Sequence, residues 1–317
     1  MPPKESAVAV LEREAKSLLP LIRSELAREF LAAASALPRV APRRLVHDAE
    51  KTRYFTEAEA ARLPEAERKT LTERMIDEEF FYNTHYGTPL AYARPLDILN
   101  FGKDALAGKR ILDFGFGGIG QLRMLASLGA DVTGVEVDPL TRALYEPADQ
   151  GIIKGLHGRD GKLSLLFGRY PADAPVRTAV GSKYDLFISK NVLKRGYIHP
   201  EQPVKERHQI KLGVGDFTFV TTIHTMLNQG GHFFIYNITP APNAPGKPYK
   251  TWADGRSPFP KDMLEKAGFR VLAYNKDDTP AVREMARALG WDKGEDAMDV
   301  ENDLFAQYTL CERRGWL

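Results

Sequence analysis

The residues with the clearest chemical character lie in the run Ile111-Leu112-Asp113-Phe114-Gly115-Phe116-Gly117-Gly118-Ile119-Gly120. A short apolar stretch ends in a carboxylate and passes into glycines. Glycine lets a backbone bend tightly and approach a ligand with no Cβ in the way. Gly115, Gly117 and Gly120 have the spacing of a nucleotide-binding turn. The next apolar run closes on Glu136, where a carboxylate can accept hydrogen bonds from both ribose hydroxyls of an adenosine. The same glycines would also serve a plain tight turn. Asp113 bears on which ligand such a turn would take. A dinucleotide places its pyrophosphate at the helix N-terminus, and an adjacent carboxylate repels it. A carboxylate suits a ligand that carries an ammonium group.

A second cluster follows residue 189: Lys190, Asn191, Lys194, Arg195, Tyr197 and His199. From Lys183 to Val214 there are seven Lys and Arg against three Asp and Glu. Such a cluster suits an anionic or carboxylate-bearing acceptor, with His199 or Tyr197 as base. It equally suits a solvated basic face. Tyr82, His85, Tyr86 and Tyr92 form an aromatic group that fits either a lid or a packing seam, and Tyr86 beside Gly87 is the member best suited to a ligand. Tyr249 and Trp252 could cap an acceptor or plug a loop. The histidines at 47, 85, 157, 199, 208, 224 and 232 show no close metal-ligand spacing, so no metal site is expected. Cys311 is the single cysteine and excludes an intrachain disulfide.

These groups need elements to hold them. Arg110 to Phe114, Val132 to Val137, Leu163 to Phe167, Tyr184 to Ser189, His232 to Asn237, Phe269 to Asn275 and Leu304 to Cys311 read as seven strands. Helical patterns at 119–128 and from Phe217 to Leu227 separate some of them, and Asp138-Pro139 starts another helix. Strands alternating with helices imply an α/β fold with a mostly parallel sheet and helices on both faces. Before it, Leu11, Ala15, Leu18, Ile22, Leu26 and Phe30 recur at helical spacing over residues 5–36. Thr56 with Glu59 fits a capping box, with helix resuming after Pro64 to about Phe81. Residues 1–104 therefore read as a helical N-terminal extension, and 105–317 as the α/β domain. Segment 239–260 holds six prolines and reads as a long ordered loop, the kind that often covers a site.

Asp113, Gly115, Gly117 and then Glu136 in VTGVEVD resemble the opening motifs of the class I S-adenosylmethionine-dependent methyltransferases. The resemblance covers about residues 105–315 and includes YDLFIS at 184–189, GGHFF at 230–234 and Ala267-Gly268-Phe269. One position departs. Where that family usually has a third glycine, this chain has Ile119, flanked by Gly118 and Gly120. The resemblance implies a seven-stranded sheet with the last strand antiparallel, and S-adenosylmethionine as methyl donor. It implies that Asp113 sits near the methionine amino group and that Gly115 and Gly117 line methionine and ribose. It puts Glu136 on the ribose hydroxyls, Val137 beside the adenine, and Arg169 and Tyr170 near the adenine edge. Lys190 and Asn191 would then lie near the transferred methyl; Tyr86, from the aromatic cluster rather than from the resemblance, is the candidate to close over the donor.

Composition narrows the classes further. The chain has 317 residues, 43% hydrophobic and 27% charged, with a formal net charge of +2. That is an ordinary globular balance. It lacks the basic excess of a protein that coats nucleic acid. Residues 1–100 carry 15 Lys and Arg against 16 Asp and Glu, so no basic arm precedes the domain. No apolar run approaches the ~20 residues of a membrane span, and a cytoplasmic location is expected. The expected activity is metal-independent methyl transfer to a small-molecule acceptor, with Lys190, Asn191, Tyr197 and His199 as candidate catalytic residues. The alternatives are an NAD(P)-dependent oxidoreductase using the same glycines, and a non-catalytic S-adenosylmethionine-binding protein.

Overall fold

The computed structural model describes residues 5–84 and 87–314. The expectations for His85 and Tyr86 lie outside the described residues. The chain divides into two compact units. One comprises the N-terminal stretch to Lys16, Ser24–Gly108 and Phe116–Phe167; the other comprises Ser17–Arg23, Lys109–Gly115 and the chain from Gly168 onward.

In the first unit the periodic apolar residues Leu11, Leu26 and Phe30 are buried, as their spacing requires. They do not lie on one helix. Helix Ala7–Leu18 gives way to a single 3-10 turn at Leu19–Leu21, and helix Glu25–Ala32 restarts from the Ser24 cap. Pro20 has no N–H to continue the ladder, which explains the break. The Ser24 N–H donates to buried Asp97 at 2.7 Å, and Arg94 pairs with the same carboxylate at 3.0 Å.

The capping box forms: Thr56 Oγ1 accepts from the Glu59 N–H at 3.3 Å, and the Glu59 carboxylate accepts from the Thr56 N–H at 2.8 Å. The helix it starts is one turn, Glu57–Ala60. Helix resumes after Pro64 as one turn, Glu65–Arg68, and again at Glu78–Asn83, but the stretch between is not helical: β3 (Thr72–Ile76) joins β1 (Arg43–His47) and β2 (Tyr54–Thr56) in an antiparallel sheet ordered β2-β1-β3. Of Thr72–Ile76 only Ile76 is buried. Such a segment has no apolar stripe to support a helix, and backbone pairing with β1 replaces it. Arg43 donates to Asp149 at 2.5 and 2.8 Å, with its guanidinium 4.8 Å from the Phe81 ring centroid.

The first unit also holds β5 (Asp131–Glu136), β6 (Gly151–Ile153) and β7 (Gly161–Phe167); β5 pairs parallel with β7, and β6 antiparallel. The second unit holds β4 (Arg110–Phe114), β8 (Tyr184–Lys190), β9 (Leu227–Thr239), β10 (Phe269–Asp277) and β11 (Phe305–Arg313). There β4, β8 and β9 run parallel, β11 pairs antiparallel with β9, and β10 antiparallel with β11. These eight strands form one mostly parallel sheet with the last strand antiparallel. The fold class expected from sequence is the one observed. The additional strand is β6, three residues long and formed only by pairing with β7.

An aromatic cluster stiffens the second unit. Phe114 stacks on Phe187 at 5.7 Å, Phe219 stands 5.4 Å from Phe114, and Phe259 stacks 5.4 Å from Phe219. Each such pair adds about 0.5–1.5 kcal/mol beyond the area it buries. The cluster fixes the ends of β4 and β8, and those ends carry Asp113 and Lys190. No helix among the described residues is long and apolar enough to cross a membrane.

Candidate functional site

In the first unit the end of β5 carries Glu136. Its carboxylate is buried and accepts backbone N–H groups from Gly117 at 2.9 Å, Val137 at 2.7 Å and Asp138 at 3.2 Å. Burial pushes its pKa up, and the three N–H groups partly offset the rise. A carboxylate offers about four lone-pair positions, so one remains for a ligand hydroxyl. Gly117 is left-handed, with φ +62°, which glycine adopts without steric cost. Val137 is 63% exposed and presents an apolar surface next to the carboxylate.

In the second unit Asp113, the next-to-last residue of β4, is fully buried. Lys190 ends β8, two residues beyond the register partner of Asp113. Burial pushes the Lys190 ammonium down to about 8, and the Asp113 charge resists the fall. These residues are 77 positions apart by number and adjacent only because β4 pairs parallel with β8, Asp113 opposite Ile188. Gly115 has φ +72°, and a Cβ there would collide with Val192 Cγ2. The turn is thus shaped by glycine on one side and closed by a valine on the other.

The segment after β8 is tied down along its length. Asn191 has φ +67°, its N–H donates to Tyr236 O at 3.0 Å, and its Oδ1 accepts the Ile238 N–H at 2.7 Å. The Asn191 amide oxygen is therefore a backbone clip. Lys194 is buried and donates to the carbonyls of Ile238 at 2.7 Å and Trp252 at 3.3 Å. Burial, and then the neighbouring Lys190 charge, bring it down to about 7. Its ammonium lies 5.7 Å from the Tyr197 ring centroid. Burial raises the Tyr197 hydroxyl pKa, which makes it a poorer base near neutrality.

His199 makes a contact that sequence reading missed. Its Nε2 lies 2.7 Å from Asp216 Oδ2, at the start of helix Asp216–Met226. No local spacing links residues 17 apart, so the signal is tertiary. Arg169 is exposed, with its N–H on Asp173 Oδ2 at 2.7 Å. Tyr170 is a core side chain, 2% exposed, its hydroxyl 3.1 Å from Met226 Sδ. Its ring is spent in packing. His224 packs edge-on to Phe269 at 5.1 Å. In the first unit Tyr82 is buried and donates to Pro38 O. Glu29, Asp104 and His157, also there, bring one potential ligand atom each within 4.8 Å of one another. That juxtaposition is invisible to spacing, and two of the three residues are exposed.

No protein-family model matches the sequence, and no curated protein does. Solved structures are similar at low identity. They include phospholethanolamine N-methyltransferase 2 of Haemonchus contortus, 15% identical over 77% of this chain and 63% of that one, with a TM-score of 0.42. An S-adenosylmethionine-dependent methyltransferase of Mesorhizobium loti is 17% identical over 70% of this chain and 98% of that one, with a TM-score of 0.39. The magnesium protoporphyrin IX methyltransferase of Synechocystis is 16% identical over 66% of this chain and 76% of that one, with a TM-score of 0.31. This chain thus spans under two thirds of the Haemonchus enzyme. Likenesses this distant carry no argument about chemistry or acceptor.

Proposed function

We propose that this protein is an S-adenosylmethionine-dependent methyltransferase with a small-molecule acceptor. The observation that carries it is buried Asp113 on β4, set by the parallel register with β8 near the strand end that carries Lys190, beside the Gly115 turn. An amino-acid terminus is a zwitterion. Its ammonium complements the Asp113 carboxylate and its carboxylate complements the Lys190 ammonium. A pyrophosphate would gain from Lys190 but meet a buried carboxylate at Asp113, and charge burial without compensation is costly. The pair therefore favours the methionine-bearing donor over a nicotinamide dinucleotide.

The first unit, taken by itself, offers groups that suit an adenosine. Glu136 keeps a lone-pair position for a ribose hydroxyl while its backbone N–H bonds hold it in place. Val137 offers an exposed apolar surface for the adenine. Gly117 presents its backbone without a Cβ. When bound, the donor supplies a methyl group already activated by a positive sulfur. The protein then has to align the acceptor, exclude water and, for a protonated acceptor, remove a proton. His199 is the group built for that removal. With Asp216 holding the Nε2–H form, Nδ1 carries the lone pair that takes the proton. Asn191 acts by fixing the backbone after β8 and Lys194 by binding that segment to Trp252.

Isothermal titration of the full chain with S-adenosylhomocysteine and with NAD tests the donor. Micromolar binding of the first, and none of the second, is expected. Tight NAD binding without S-adenosylhomocysteine binding would overturn the assignment. A small-molecule screen read by S-adenosylhomocysteine release then tests turnover, and donor binding with no acceptor in a broad screen would favour a non-catalytic binding protein.

A further inference from the structure

The proline-rich segment 239–260 encloses part of a cavity of about 480 Å³ in the second unit, within the usual size range of small-molecule sites. Its wall is bonded to the segment after β8: the Arg195 N–H donates to Arg256 O at 2.8 Å and the Gly196 N–H to Asp254 O at 3.2 Å. The cavity therefore lies against the segment after β8, beyond the carboxyl end of β9.

The charged groups of its wall divide sharply. Both carboxylates are consumed. Asp254 is gripped by Arg256 through two bonds of 2.8 Å and by Arg195 at 3.2 Å. Glu201 accepts from Arg195 at 2.5 Å and from Arg256 at 3.1 Å, and those guanidinium groups hold its carboxyl below the usual range. What remains is a set of donors. Lys247 has no hydrogen bond or ion pair of its side chain among the described residues, and Lys250 spends one donor on Ala241 O at 3.1 Å. The Tyr249 hydroxyl is buried with no acceptor for its proton. The Gln307 amide makes no side-chain bond among the described residues. Pro242, Pro245 and Pro248 add an apolar wall.

We infer that this cavity binds a small organic anion, a carboxylate or phosphate ester carried on a compact apolar body. Lys247 and Lys250 supply the charge, Tyr249 and Gln307 the directed hydrogen bonds, and the prolines the surface for the body. A neutral ligand would leave two ammonium groups without an added partner, and a cationic one would be repelled by them. That the anion is the acceptor rests on the methyl-transfer proposal; that it binds does not.

The test titrates the full chain with benzoate, phenyl phosphate and benzamide. One or both anions should bind at millimolar concentration or better, and their ranking tells carboxylate from phosphate. Benzamide should bind at least about tenfold more weakly. Lys247→Gln with Lys250→Gln should cost the anion about tenfold or more. The thermal midpoint should hold, since Lys247 is exposed and Lys250 half-buried. Tyr249→Phe should cost several-fold. Equal binding of benzamide, undiminished binding by the double variant, or no binding of either anion overturns the inference. S-adenosylhomocysteine titrated into the same preparation reads the donor proposal separately. Anion binding without it keeps this site and sinks the transfer; the converse sinks this site alone.

Discussion

Replacing Lys190 by methionine removes a cation whose charge interacts with that of fully buried Asp113. Deleting one partner of a buried pair usually costs about 3–5 kcal/mol, because the remaining charge keeps its desolvation penalty. Asp113→Asn should cost less. Lys190 is already pushed down to about 8, so near neutrality it can shed its proton for roughly 1–2 kcal/mol, at about 1.4 kcal/mol per pH unit. The double variant should then be more stable than the sum of the two losses by about 2 kcal/mol, a coupling typical of residues in direct contact. Equilibrium urea unfolding at pH 7 measures all four proteins. The same preparations, titrated with S-adenosylhomocysteine, should show at least about a tenfold weaker affinity in each single variant. If both single variants unfold within about 0.5 kcal/mol of the parent and their effects simply add, the two groups do not interact, and the zwitterion argument falls with them.

Three further outcomes are expected from the same geometry. Lys190 and Lys194 are lowered from 10.5 to about 8 and about 7, chiefly by burial. The folded chain thus binds fewer protons than the unfolded one between those values and 10.5, and the unfolding free energy should rise with pH across that window. Lys194→Met should flatten part of the rise in urea titrations run from neutral to alkaline pH, and parallel curves for parent and variant would contradict this. Gly115→Ala should cost about 2–4 kcal/mol, from the left-handed backbone and from the clash with Val192; adding Val192→Ala should return the clash portion only, as read from urea midpoints. On the first acceptor that turns over, His199→Gln should lower kcat about 10²–10⁴-fold and Asp216→Asn by a smaller factor, and unchanged kcat in both would remove the dyad from the mechanism.

Much of the α/β architecture is written locally. The runs that become β4, β5, β7, β8, β9, β10 and β11 are apolar stretches bounded by turn residues, and the glycine turn announces itself through Gly115 and Gly117. The Thr56–Glu59 cap is equally local. So is Pro20, a breaker inside a stretch whose apolar spacing alone predicts one continuous helix. The β1–β3 sheet is not legible in this way, since Thr72–Ile76 is polar at most positions and is a strand only because β1 lies beside it. The same holds for β6, which exists by pairing with β7.

Site chemistry divides along the same line. Residue type and spacing mark Asp113, Glu136, Lys190 and His199 as reactive groups. Only the folded chain decides their partners: Lys190 against Asp113, Asp216 against His199, backbone N–H groups on Glu136, and Met226 against the Tyr170 hydroxyl. The reason is range. Propensity, capping and turn chemistry act over a few residues and leave a readable pattern. The electrostatics of a buried group depend on which strand ends are brought together, and parallel pairing of β4 with β8 joins positions that no local pattern connects.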